Sequence, residues 1–222
     1  NTLHNLIIRK QDQDYVGLFG YIGNKGVVIS LKIELHPNFP VVGKNYVGGL
    51  AGCIDSSYIG DCIVTYGQAS NPYGAGINAT GENVGGLLGY AINSQIFDCQ
   101  YRAFSVTGKK KVGGCIGSIK NSFVRNCRVN NINASIAGTD TIGGVFGFSD
   151  NCKLTNIEFL GSKVEADEAG AGGVIGKSRK DSLINNKMTK GQIKAKRFVG
   201  GIIGDAFSSY ISNCYSLNSG SI

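Results

Sequence analysis

The hexapeptide VGGLAG (47–52) returns in altered form along the whole chain. It recurs as VGGLLG (84–89), VGGCIG (112–117), IGGVFG (142–147), AGGVIG (171–176) and VGGIIG (199–204), with a shorter cousin, YVGLFG, at 15–20. Measured at the glycine ahead of the hydrophobic pair, the steps fall at Gly17, Gly49, Gly86, Gly114, Gly144, Gly173 and Gly201. The intervals are 32, 37, 28, 30, 29 and 28. A core period of roughly 28–30 residues, lengthened twice by insertions, is the signature of a solenoid.

A second element follows each full step at nearly constant offset. It reads SYIGDC (57–62), SQIFDC (94–99), SFVRNC (122–127), CKLTNI (152–157), SLINNK (182–187) and SYISNC (209–214). The pattern is small, x, aliphatic, x, Asn/Asp, then Cys or a substitute. Such alternation suits a short strand that ends in an Asn/Asp turn. A third, looser strand carries alternating Val or Ile, as in Arg128-Val129-Asn130 and Lys163-Val164-Glu165. No helical period persists.

Three short strands per period predict an all-β fold: a parallel β-solenoid (β-helix) of about seven coils forming a single domain over 1–222. Coils stacked at about 4.8 Å bury continuous ladders of Val, Ile and Leu that no single coil could bury alone. The glycines supply positive φ or close backbone approach at a corner every coil must turn. One chain does not say which residue of each hydrophobic pair points inward. The chain opens at Asn1 without Met and stops at Ile222, where another step is due, so it reads as a piece of a longer protein.

These residues resemble the GLUG repeat. VGGLxG followed by SxIxNC carries the resemblance, and YVGLFG with the upstream Leu6-Ile7-Ile8 looks like the lead-in to such arrays. It covers nearly the whole chain. The departures are the missing glycine in YVGLFG, Ala171 in place of Val, and Ile157 and Lys187 in place of Cys. The family occurs mostly in large exported bacterial proteins, including adhesin-like surface proteins and non-catalytic parts of immunoglobulin A proteases. The resemblance implies an extracellular or cell-surface setting and a structural or adhesive role, as a binding display or a spacer. It implies no catalytic residues. The expected partner is a glycan or protein on a host or neighbouring cell, or copies of the chain itself.

Charge and composition narrow the alternatives. No apolar run approaches the ~20 residues that span a bilayer, so no membrane insertion is expected. Residues 1–100 hold five Lys/Arg against seven Asp/Glu, and the remainder holds 17 against eight. The basic half reads as a solvated face. Its runs, at 109–111 and 187–197, lack the interleaved aromatics of a nucleic-acid platform. The glycine steps are not phosphate loops, because no Lys-Ser/Thr follows, and no helix follows as a dinucleotide fingerprint needs. No cofactor is expected.

Seven cysteines are present, an odd number. Cys62, Cys99, Cys127 and Cys214 share one repeat position and read as a buried thiol column. Stacked Cα atoms about 4.8 Å apart permit a disulfide, but parallel Cβ vectors disfavour it. No CxxC occurs, His4 and His36 lie outside the steps, and no metal site is expected. Asp61 and Asp98 share the Asn/Asp position and would stack one coil apart. With Asp55 they are the carboxylates that suggest a carbohydrate-active enzyme, yet a turn role explains the position of Asp61 and Asp98 in every coil. Glu165, Asp167 and Glu168 read as a loop. The insertions at 33–40 and 66–80 are the expected display loops. Phe39 and Tyr73 on them are ligand-contact candidates, unless they pack back over the solenoid. Asn78 and Asn133 head glycosylation sequons that matter only in a eukaryotic host. A self-assembling filament is the remaining alternative, because solenoid ends expose strand edges.

Overall fold

The computed structural model describes residues 1–67 and 76–217, apart from the side chains at 131–134 and 162. Among the described residues there are 28 strands and no helix. All pair in parallel on three sides of a β-solenoid of about seven coils, as the repeat predicts. Sheet I has seven strands, from Phe19–Ile22 through Ala51–Asp55 and Leu88–Ile92 to Ile203–Phe207. Sheet II also has seven, from Val27–Ile29 through Tyr58–Gly60 and Gln95–Phe97 to Tyr210–Ser212. Sheet III is the longest side. There a coil lays down several short strands, such as Gln100–Arg102, Val106–Thr107 and Lys110–Gly113, or one continuous strand, such as Arg128–Gly143.

The glycine step is the corner from sheet III into sheet I. In the five inner steps both residues of the hydrophobic pair are interior: Leu50 and Ala51, Leu87 and Leu88, and Val145 and Phe146, for example, are all fully buried. The paired glycines act by close approach, and none of the pairs has positive φ. A Cβ at Gly49 would lie 2.8 Å from the carbonyl oxygen of Gly86 in the next coil. The third glycine of the step is equally cramped. At Gly147 a Cβ would meet the carbonyl carbon of Lys111 at 2.5 Å.

Positive φ is carried by three other columns, one at each corner. Between sheets I and II stand Ser56, Asn93, Asn121, Asn151 and Lys180 in successive coils. Between sheets II and III stand Asp61, Asp98, Asn126, Asn156, Asn185 and Asn213. Ahead of the glycine step stand Tyr46, Asn83, Lys111, Thr141 and Phe198. Asn, Asp and Ser suit the first two corners because their short side chains tolerate the left-handed region. The third column holds bulky and β-branched residues there, a local cost that coil-to-coil pairing offsets. The Tyr15 and Val16 N–H groups, for example, donate to the Asn45 and Tyr46 carbonyls of the next coil at 3.0 Å each.

Three expectations are corrected. In SLINNK, Leu183 pairs with Leu154 and Ile211, so Asn185 is the turn residue and fully buried Asn186 takes the Cys position. Lys187 then begins the next strand. The acidic run Glu165, Asp167 and Glu168 is not a loop but part of the strand Glu158–Gly172, because Val164 and Ala166 alternate inward and fix its register. The insertion at 33–40 is half regular strand. Ile33 and Leu35 are buried in Lys32–Leu35, leaving only residues 36–40 as a loop.

Candidate binding face

Each sheet II strand has three residues. The middle one, such as Ile59, Ile96, Val124, Leu154 or Leu183, is fully buried. Alternation then turns the first and third outward, giving two outward columns along the solenoid. Tyr58, Gln95, Phe123 and Lys153 succeed one another in one column, and Gly60, Phe97, Arg125 and Thr155 in the other.

The aromatics of these columns meet diagonally across coils. Tyr58 and Phe97 lie 5.6 Å apart edge to face, and Phe97 and Phe123 lie 5.1 Å apart in the same manner. Cations continue the strip. The Arg125 guanidinium sits 4.9 Å over Phe97, and the Lys153 ammonium 5.5 Å over Phe123. Such contacts contribute roughly 0.5–1 kcal/mol each at exposed sites. Arg125 and Lys153 are exposed, and the three aromatics are half-buried. Among the described residues, neither cation makes an ion pair, and neither does Lys180 at the adjoining corner.

Amide ladders border both edges. On one, Asn121 donates to Asn93 at 3.3 Å and Asn151 donates to Asn121 at 3.0 Å. On the other, Asn126 donates to Asp98 at 2.9 Å and Asn156 donates to Asn126 at 3.1 Å. A shallow groove of about 690 Å³ follows the first ladder, and its lining includes Phe123, Lys153 and Lys180.

Beneath these ladders run two inward polar columns. The Ser94 hydroxyl accepts the Ser57 N–H at 3.1 Å, and the Ser122 hydroxyl accepts the Ser94 N–H at 3.0 Å. Asp181 takes this position in the sixth coil. It accepts the Cys152 N–H at 2.8 Å and the Ser178 hydroxyl at 2.6 Å. Burial nevertheless pushes its carboxyl above the usual range. In the cysteine column, the Cys99 thiol donates to the Phe97 carbonyl at 3.2 Å and the Cys62 thiol to Gly60 at 3.3 Å. All seven thiols are free. Burial pushes the Cys53 thiol up to about 11 and Cys152 up to about 12, which keeps both protonated and unreactive at neutral pH.

The residues singled out from sequence are scattered over the molecule. Phe39 is 42% exposed on the loop beside sheet III, with the His36 ring at 4.8 Å and the Arg9 guanidinium at 6.0 Å. Tyr73 lies outside the described residues, as does the side chain of Asn133. Asn78 is exposed and accepts a hydrogen bond from Thr107 at 3.1 Å. Asp61 and Asp98 do stand in one corner column, both exposed. Asp61 accepts from Ser30 at 3.1 Å and Asp98 from Asn126. Both carboxylates thus take part in turn and ladder bonds. Among the described residues no group of three His, Cys, Asp or Glu side chains is placed to hold a metal ion. No helix among them is long and apolar enough to cross a membrane.

The sheet II strip was not singled out from sequence, because its residues lie about one coil apart and form no local motif. Aligning the repeats in phase is the signal that exposes it: positions 58, 97, 123, 125 and 153 then fall on one face. No family model, curated protein or solved structure matches this chain.

Proposed function

We propose that the chain is a binding and display module of a cell-surface or secreted protein. In this reading it is adhesive in character, and the outer face of sheet II is its contact surface. The observation that supports it is the continuous strip from Tyr58 through Phe97 and Phe123 to Arg125 and Lys153, with unpaired cations and amide borders. A rigid stack holds these side chains at fixed spacing, so little ordering free energy is lost on contact. The resemblance to GLUG-repeat proteins agrees with an exported scaffold of this kind, and the partner class is a glycan or protein on another cell.

The test is binding of the labelled chain to intact cells, wild type against the Phe97→Ala, Phe123→Ala double variant. Loss of binding in a variant that still unfolds in one cooperative transition above the assay temperature supports the reading. Unaltered binding sinks it.

A second reading, end-to-end self-assembly, is favoured by the two terminal coils. Phe19 is 38% exposed at one end and Ile211 47% at the other, at inward positions that pair with fully buried Ala51 and Leu183 in the neighbouring coils. Light scattering that stays monomeric at high protein concentration would exclude it. A carbohydrate-active enzyme remains the third reading. It requires glycan cleavage that an Asp61→Asn, Asp98→Asn variant abolishes.

A further inference from the structure

The chemistry of the sheet II face also identifies a class of ligand, an inference that rests on the display reading above. We infer that this face binds an acidic polysaccharide whose chain lies along the solenoid axis, with its sugar rings against Tyr58, Phe97 and Phe123 and its carboxylates on Arg125, Lys153 and Lys180.

Three features converge on that chemistry. Half-buried aromatic rings on a flat face offer apolar edges and faces to the apolar faces of pyranose rings. The amide ladders offer side chains that both donate and accept, as sugar hydroxyls do. The cations are unpaired among the described residues, so a ligand carboxylate would not have to displace a protein one. Arg125 is also pre-set. Resting over Phe97 restricts its guanidinium while leaving its N–H edge free for a two-point contact with a carboxylate.

Charge is distributed unevenly along the strip. Asp61 and Asp98 stand at the border of the second and third coils, whereas Arg125, Lys153 and Lys180 belong to the fourth, fifth and sixth. Carboxylates are therefore read toward the C-terminal coils, and ring stacking dominates toward the second and third. The basic run at 109–111 is a separate feature. Lys110 lies on a sheet III strand, and Lys111 is paired with Glu82 at 3.1 Å. It serves as the control for unspecific attraction of polyanions.

The experiment measures binding of the whole chain to polygalacturonate, hyaluronan, a neutral cello-oligosaccharide and inorganic polyphosphate, at low and physiological salt. Binding to an acidic polysaccharide that persists at physiological salt is expected. Arg125→Gln with Lys153→Gln should weaken it by about tenfold or more, the effect of losing charge-assisted hydrogen bonds. Phe97→Leu with Phe123→Leu keeps apolar bulk and removes the rings. It should weaken polysaccharide binding about tenfold and polyphosphate binding by clearly less. Lys109→Gln with Lys110→Gln should change neither.

Equal losses from the sheet II and 109–110 pairs, or polyphosphate binding as tightly as polysaccharide, would overturn the inference in favour of plain charge attraction. No binding to either acidic polysaccharide would overturn the ligand class, and so would binding indifferent to the sheet II variants. Cell binding that still depends on Phe97 and Phe123 would then leave the display reading standing, whereas cell binding independent of them would remove both.

Discussion

The third and sixth coils follow the same backbone path with different interiors. The third coil places Ser94 and Cys99 at the two corners of sheet II, and the sixth places Asp181 and Asn186 there. Hydroxyl and thiol need few partners, whereas a buried carboxylate and amide need several. The sixth coil supplies them. Asn186 accepts the Ile157 N–H at 2.9 Å and donates to the Leu154 carbonyl at 3.2 Å. Ser178 and the backbone serve Asp181. The comparison shows that the coil geometry fixes which backbone groups need partners, and that unlike side chains can satisfy them.

The largest expected effect probes what the two coils share. Gly86→Ala and Gly173→Ala each drive a Cβ into the carbonyl of the next coil, Gly114 and Gly201 respectively. Each should cost about 3 kcal/mol or more in urea unfolding. Gly86 is backed by the fully buried ring of Tyr101 and Gly173 by flexible Met188, so the first should cost more. Equal costs would mean the side chains behind the glycines are irrelevant.

Next in size is the amide. Asn186→Ala strands the Ile157 N–H and should cost about 1–3 kcal/mol. Cys99→Ala, which removes only a weak donor from the matching position, should cost less. A larger loss at Cys99 would show that the column is governed by volume rather than by hydrogen bonding.

Asp181 supplies a pH test. Burial raises its carboxyl above the ordinary 3.8, with hydrogen bonds from Ser178 and the Cys152 N–H opposing the shift. The native state therefore keeps this proton to higher pH than the unfolded chain does. The contribution to stability is greatest below 3.8 and is lost as pH rises through the raised native value. Asp181→Ser restores the third-coil residue. It should remove that fall and stabilise the chain by about 1 kcal/mol at pH 7, read from melting curves across pH. A slope that survives the substitution would assign it elsewhere.

The smallest effect is expected at the exposed corner. Asp98→Asn keeps the left-handed residue and the ladder acceptor, so stability should move by less than about 0.5 kcal/mol. A larger loss would show that the negative charge itself matters there.

The fold was largely readable because the core repeats. An aliphatic at the centre of every sheet II strand and the glycine step ahead of every sheet I strand mark the coil unmistakably. The slip at 182–187 arose because Asn185 and Asn186 are adjacent and either could fill the turn. Glu165, Asp167 and Glu168 were misread because three charges outweighed the inward alternation of Val164 and Ala166. The binding face was missed because outward positions vary freely between coils, and Tyr58, Phe97 and Phe123 become neighbours only when their coils are stacked.

The repeat by itself determined that the chain is a parallel solenoid, how many coils it has, and where two of its three corners fall. Packing must recur wherever coils stack, and the paired glycines at one corner and Asn or Asp at the other leave a visible signature. Tertiary structure alone placed the corner between sheets I and II at Ser56, Asn93, Asn121, Asn151 and Lys180, and decided that Tyr46, Lys111, Thr141 and Phe198 ahead of the glycine step adopt the left-handed conformation. There the bonds to the adjacent coil and the close-packed glycines impose a geometry that no residue's own preference would select. It decided equally which outward side chains share a face, since that depends on register between strands far apart in sequence.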